Sequence, residues 1–311
     1  MGDQMAVTVI QEAHSAELAF RAPHPLLAGH VLGYTGQSFS LPQPRVRRVT
    51  ALAAVMLLID FETPVRHLVT DTGQQQSLPL SPVSGLSDRP LIIRQSGREH
   101  GVVVLLTPLG ARALFRLPLQ ELARRNVHLT DLLGPDGRRL TEQLAEAPDW
   151  PTRFRTIDAF LLARIGAGPE LPLQVRRAWR RLIGAGAAPI STLADEVGWS
   201  RQHLNVRFSK EIGLSPKTLA RIARLQRAMA LMRSTRPPSL ADVAAMCGYT
   251  DQSHLNRDFR LLTGCTPARF RTLTNDWFSV YIADPRVYPV DGAPSDPQRR
   301  APARGPERQA R

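Results

Sequence analysis

This chain spells one amphipathic phrase twice, GWSRQHLNVRFSKEIG at residues 198–213 and GYTDQSHLNRDFRLLTG at 248–264. At an offset of fifty, Gly198 faces Gly248, Trp199 faces Tyr249, Ser200 faces Thr250 and Gln202 faces Gln252. After one inserted residue, Leu204 faces Leu255, Asn205 faces Asn256, Phe208 faces Phe259, Gly213 faces Gly264, and Ser215-Pro216 faces Thr266-Pro267. Agreement at so many places marks a duplicated supersecondary unit. A fold that contains it must hold two copies of one small helical device.

Each copy reads as helix, glycine turn, helix. Leu193–Val197 and Val243–Cys247 supply the first helix, with Ala194 and Ala244 small enough for a crossing helix to approach. Gly198 and Gly248 end it where a positive φ costs a glycine little. Ser200 and Thr250 are the expected N-caps of the second helix. Its apolar stripe is Leu204, Phe208 and Ile212 in one copy and Leu255, Phe259 and Leu262 in the other. Trp199 and Tyr249 are expected to pack at the turn. The opposite face is polar and basic, as in a helix-turn-helix whose second helix enters the DNA major groove.

Between the copies, Ser215 to Arg233 opens with a cap and a proline at the first helical position, then carries Leu219, Ile222, Leu225, Met229 and Met232 at helical spacing. It is expected to be one connecting helix, with Lys217, Arg221 and Arg224 on another face, either solvated or touching phosphates. Ser239 and Asp242 form an expected capping box at the start of the second copy, where the first copy has Pro189.

Charge supports the same partner. Residues 1–150 hold 14 Arg and 14 acids, whereas 171–274 hold 15 Arg, 2 Lys and 6 acids, so nearly all of the net charge of +13 lies in the duplicated region. Clustered cations on one segment suit a polyanion, because displaced counterions reward phosphate contact.

The two units, the connecting helix and the shared Gly, Gln, Leu, Phe, Gly and Ser/Thr-Pro positions resemble the DNA-binding domain of the AraC/XylS family of bacterial transcription regulators. The resemblance covers residues 172–274. It implies an α+β chain: an N-terminal mixed strand/helix sensor-like domain over 1–166, a linker at 167–171, and an all-α domain of two helix-turn-helix units joined by a long helix. It also implies that Gln202, Asn205 and Val206, and Gln252, Ser253, Asn256 and Arg257, are the base-reading candidates. Amides pair with adenine, guanidinium with guanine, and valine meets a thymine methyl. Arg201, Arg207, Lys210, Lys217, Arg221 and Arg224 are the phosphate-contact candidates. Asp251 and Asp258 depart from the common pattern, and their negative charge is expected to weaken the second reader. Double-stranded DNA is the implied partner, with RNA polymerase, a small-molecule effector and a second copy of the chain left open.

The first half is less legible. Apolar runs at 55–61, 91–93 and 102–106 suit buried strands, and helical spacing appears at 111–115, 119–123, 140–145 and 153–165, the last ending at Gly166 as a C-cap would. The last of these helices would either dimerise or, as its stripe of ordinary width favours, pack on its own domain. The segment Thr107 to Phe115 is similar to one in sensor halves of some of these regulators, and Pro42, Arg47 and the strand around Leu58 belong with it. A small-molecule pocket suits a neutral domain placed before a basic reader. After Asp284, the chain loses apolar periodicity and is expected to be a disordered tail over 284–311.

Other chemistries find little support in the sequence. Eight His are scattered without metal-ligand spacing, so no metal and no cofactor are expected. Gly184-Ala-Gly186 follows a helical pattern and reads as a turn rather than a phosphate loop, and no GxSxG is present. Cys247 and Cys265 are too few for a disulfide framework; with no signal-peptide pattern and no apolar run long enough to span a bilayer, a cytoplasmic protein is expected. An enzyme tethered to DNA would need a nucleophile or metal cluster in 1–150. A nonspecific architectural binder would favour Lys, Arg or wedging apolar residues over Gln, Asn and Ser.

Overall fold

The computed structural model describes residues 8–12, 16–70, 73–184, 189–234 and 236–272; the expected tail over 284–311 and most of the Gly184-Ala-Gly186 turn lie outside them. The first half is built on one antiparallel sheet of nine strands: β1 Thr8–Glu12, β2 Ala16–Arg21, β3 Val31–Val49, β4 Val55–Asp60, β5 Val65–Val69, β6 Gln75–Ser77, β7 Pro82–Ser84, β8 Leu91–Leu106 and β9 Asn126–His128. Their order is β1-β2-β3-β8-β4-β7-β9, with β5 bridging β8 and β6. The apolar runs at 91–93 and 102–106 are thus two ends of one strand. Its middle is polar and turns at Gly97, whose φ is +80°, opposite a register shift between Leu41 and Arg45 in β3. Because of that bend β8 pairs with β5 along its first half and with β4 along its second.

Alternation divides the sheet into two faces. Val55, Leu57 and Ile59 of β4 and Val102, Val104 and Leu106 of β8 join the main core with the helices. Met56, Leu58, Val103 and Leu105 form a second apolar cluster with Val49, Leu52, Ala54 and Ile93. That second face also carries a buried ion cluster. The Arg66 guanidinium donates to Asp60 at 2.8 and 2.9 Å and to both oxygens of Glu99, and Asp60 also accepts the Ser81 N–H at 2.8 Å. Burial alone pulls the Arg66 pKa down, but the bonds to Glu99 and Asp60 outweigh it and raise it.

Four helices cover the main face: α1 Pro108–Phe115, α2 Leu129–Leu133, α3 Pro135–Glu146 and α4 Trp150–Gly166. Thr107 caps α1 and accepts from the Gly110 N–H. The helix expected at 119–123 is only a 3-10 turn, Leu119–Glu121, because Pro118 precedes it and Arg124 takes a left-handed φ of 58° just after. Gly166 does not cap α4: it is the last helical residue, and Ala167 caps with a negative φ of −97°. The α4 helix packs on its own domain. A side chain at Gly36 would collide with the Trp150 ring at 2.4 Å, and Asp158 accepts from Tyr34 Oη at 2.8 Å and His24 N–H at 3.0 Å.

The second half is helical: α5 Leu173–Gly184, α6 Ile190–Glu196, α7 Arg201–Ile212, α8 Pro216–Met232, α9 Leu240–Met246, α10 Gln252–Thr263 and α11 Pro267–Thr272. The five expected core positions of the connecting helix, from Leu219 to Met232, are all buried. The apolar core runs without a break from the sheet through α4 and Leu171 into this half. Residues 167–171 are accordingly packed down. A Cβ on Gly168 would lie 2.2 Å from the Ala113 carbonyl, and Arg116 donates to the Ala167 carbonyl at 3.3 Å.

Candidate nucleic-acid interface

The duplicated phrase folds as two matching devices. In the first, Gly198 N–H bonds to the Asp195 carbonyl at 3.1 Å and Trp199 N–H to Ala194 at 3.0 Å; in the second, Gly248 bonds to Ala245 at 3.1 Å and Tyr249 to Ala244 at 2.9 Å. Each pair is the double bond pattern that closes a helix through a left-handed glycine. The φ values are 71° and 72°, and a Cβ would meet nothing within 4 Å at either glycine. Backbone conformation, not space, therefore requires glycine here. The second glycines do the same for the second helices, Gly213 at 92° and Gly264 at 73°.

Inside each unit the stripe is fully buried: Leu204, Phe208 and Ile212 under α7, and Leu255, Phe259 and Leu262 under α10. Ser200 caps α7 by accepting from the His203 N–H at 3.2 Å. Thr250 does not cap α10. Asp251 does, accepting from the His254 N–H at 2.7 Å, so the charge expected to repel phosphates instead closes a helix N-terminus, where a carboxylate is favoured. The histidines three residues after each cap then lie edge-on against the turn aromatics, His203 on Trp199 at 4.7 Å and His254 on Tyr249 at 5.2 Å.

Asp258 is likewise not a surface charge. It is buried beneath α10, where Arg221 donates to it at 2.7 Å and Arg224 approaches to 3.9 Å from α8. Arg224 also donates to the Gly248 carbonyl at 3.3 Å and lies 5.1 Å from the centre of the Tyr249 ring. The hydrogen bond to Asp258 raises the Arg221 pKa against the cost of burial. Arg221 and Arg224, expected at phosphates, are therefore turned inward as a brace between connecting helix and second unit. Sequence spacing hid this brace, because its members are 37 residues apart. The position matching Asp258 in the first unit is Arg207, which is half-buried.

The remaining polar candidates are arranged as a reader would need. Gln202, Asn205 and Val206 are exposed along the first turns of α7 beside Arg201; Gln252, Ser253 and Arg257 are exposed on α10, with Asn256 half-buried. Val206 is 58% exposed, so its methyl groups are free to meet a groove surface. Lys217 is exposed at the start of α8, and Arg260 adds an exposed cation one turn beyond Arg257. Lys210, at the far end of α7, is exposed beside Glu121 and Arg125 of the first half.

The bonds that dock the two halves lie at the other ends of these helices. Arg112 of α1 pairs with Glu211 of α7 at 3.1 Å, and Gly213 lies against the Leu119 carbonyl. On the second unit the Leu262 carbonyl accepts the Ala51 N–H at 2.8 Å, and Gln226 of α8 donates its side-chain amide to the Ala51 carbonyl at 2.7 Å. Sequence reasoning missed Glu211 and Gln226. Polar residues adjoining an apolar stripe were the available signal.

Cys247 is 1% exposed, and burial pushes its thiol up to about 11, which suits packing rather than nucleophilic attack. Cys265 is also buried. No group of three or more potential metal ligands occurs among the described residues.

Two units with aligned caps and turns, buried stripes and polar leading turns define a double helix-turn-helix DNA-binding domain. Residues 193–272 match a family model described as a helix-turn-helix domain. The chain is 33% identical over 76 residues to the F1 operon positive regulatory protein of Yersinia pestis, covering 24% of this chain and 25% of that protein. It is 32% identical over 82 residues to the arabinose operon regulatory protein of Escherichia coli, covering 26% of this chain and 28% of that protein. Among solved structures it is similar to ToxT from Vibrio cholerae, at 10% identity and a TM-score of 0.43, over 78% of this chain and 98% of that one. The sequence matches therefore span well under half the length of these curated relatives. Residues 193–272 thus carry a helix-turn-helix domain similar to the matching segments of these operon regulators.

Proposed function

We propose that the chain is a sequence-specific transcription regulator that reads two adjacent major-groove segments of double-stranded DNA with the leading turns of α7 and α10. The observation that carries this reading is the exposure of Gln202, Asn205, Val206, Gln252, Ser253 and Arg257 on two equivalent helices joined by one braced connector. Arg201, Arg207, Lys210 and Lys217, together with Arg260, anchor phosphates; Arg221 and Arg224 are withdrawn from that role. Residues 1–166 form a sensing and dimerising part and 172–274 the reader, acting in the cytoplasm with RNA polymerase and a second copy of the chain as further partners. That the matched relatives are named regulators supports this over catalysis.

Selection of the full chain on a random duplex library tests it. The reading expects an enriched site with two short elements about one helical turn, roughly 34 Å, apart. Retention of all sequences alike would make the protein an architectural binder and end the proposal.

A further inference from the structure

The sheet half meets the two readers at matching places. Glu211 and Leu262 occupy the same position in the two copies, and so do the cap glycines Gly213 and Gly264. Both positions touch the first half in both copies. In the first copy, the Glu211 carboxylate accepts from Arg112 of α1 at 3.1 Å, and a Cβ on Gly213 would lie 2.8 Å from the Leu119 carbonyl. In the second, the Leu262 carbonyl accepts the Ala51 N–H at 2.8 Å, and a Cβ on Gly264 would lie 3.5 Å from Pro90. The connecting helix is tied to the same spot, because the fully buried Gln226 donates to the Ala51 carbonyl at 2.7 Å.

These contacts are at the trailing ends of the reading helices. From Gln202 to Glu211 α7 rises roughly 14 Å, at about 1.5 Å per residue, so the leading turn stays clear of the dock. The Arg112 and Glu211 side chains are only 17% and 9% exposed, and an ion pair so shielded is directional and little weakened by salt. The two units differ in how they hold to α8. The second is braced to it through Asp258 and Arg221, whereas the first carries Arg207 at the matching position, and its Glu211 pairs with the sheet half instead. The first unit therefore takes part of its position from α1 and the Leu119 turn, not from the connecting helix alone.

We propose that the sheet half is a splint that holds the two reading helices at one separation and angle, and that the chain thereby selects DNA sites by the spacing of their two elements. Arg112, Glu211 and Gln226 are its positioning residues, acting through α7 and α8 rather than on a base. The spacing rule rests on the regulator reading above; the splint does not.

The splint is read first without DNA. Spin labels are placed on the full chain through Asp195→Cys and Ala245→Cys, exposed and equivalent positions ahead of the two turns, while Cys247 and Cys265 are buried. Pulsed dipolar electron paramagnetic resonance is expected to give one narrow distance, and a distribution at least about twice as wide once Arg112→Met and Gln226→Met are added. Arg112→Lys, which keeps the charge, is expected to leave it narrow. If the double variant loses its helical circular dichroism, Arg112→Met alone is read in its place. Equal widths with and without the dock, or equal widening by Arg112→Lys, overturn the splint.

The spacing rule is read on the selected site without labels. One base pair inserted between the elements moves the second by roughly 3.4 Å and 35°. The wild type is expected to lose at least about tenfold in affinity on that insertion and the double variant under about threefold, with weaker binding to the unaltered site. Equal losses overturn the rule, and tighter binding of the double variant to the unaltered site makes the dock an inhibitory latch and overturns it as well. Absence of any selective DNA binding instead ends the regulator reading, while the label distances still decide the splint.

Discussion

Replacing Asp258 by Ala separates two accounts of the second reading helix. If Asp258 faced the groove, its removal would relieve repulsion with phosphates, tighten DNA binding and leave folding untouched. The structure requires the reverse. Its side chain is only 9% exposed and holds Arg221, at 27%, through a bond of 2.7 Å, with Arg224, at 18%, at 3.9 Å. Breaking a fully buried pair costs about 3–5 kcal/mol, and exposed pairs are worth under about 1. With the arginine partly solvated and able to swing outward, the expected loss is about 2 kcal/mol of unfolding free energy, read from urea denaturation followed by circular dichroism. A double-mutant cycle with Arg221→Met is expected to return a coupling of about 1–2 kcal/mol. Stability within about 0.5 kcal/mol of the wild type, combined with tighter DNA binding, would refute the brace.

Three further outcomes follow from the geometry. Gly198→Ala and Gly248→Ala are each expected to cost about 1–2 kcal/mol in the same denaturation assay, because the added Cβ meets nothing but must sit at φ near +70°. Gln202→Ala and Arg257→Ala are expected to relax preference at one local base position of the selected site, by about 1–3 kcal/mol each; uniform weakening on every sequence would make the residue a phosphate anchor. Burial lowers the His100 pKa, against the upward pull of Glu62, so the folded chain holds that proton less tightly than the unfolded one. Its contribution to stability is intact above about pH 6.5 and is lost as pH falls below that value. His100→Gln is expected to flatten stability across that interval, and an unchanged pH profile would contradict the assignment.

The helical half was legible because its information is local and doubled. Leu204, Phe208, Leu255 and Phe259 repeat at spacings that only a helix can bury together, and the glycines stand where the turns need them. What sequence spacing hid was pairing at a distance. Asp258 looked like a groove charge because its partner Arg221 is on another helix, and Asp251 looked like a repulsive charge although it caps its own. The sheet was harder for the same reason. β3 contains Gly33, Gly36, Pro42 and Pro44 and shows no apolar run, while the polar middle of β8 includes Glu99, whose burial depends on Arg66 of another strand. No pattern within either segment reveals that its charges will be neutralised inside the fold. The segment at 50–54 was silent too, since Ala51 ties the two halves through its backbone N–H and carbonyl, which no side-chain pattern reveals.

The central claim is that one chain reads DNA with two equivalent helices on one side of the duplex. Hydroxyl-radical footprinting of the full chain on a short selected site tests this most directly. Two protected patches on the same face, about 10 base pairs apart, are the expected result. A single patch, or protection that winds continuously around the duplex, would contradict it.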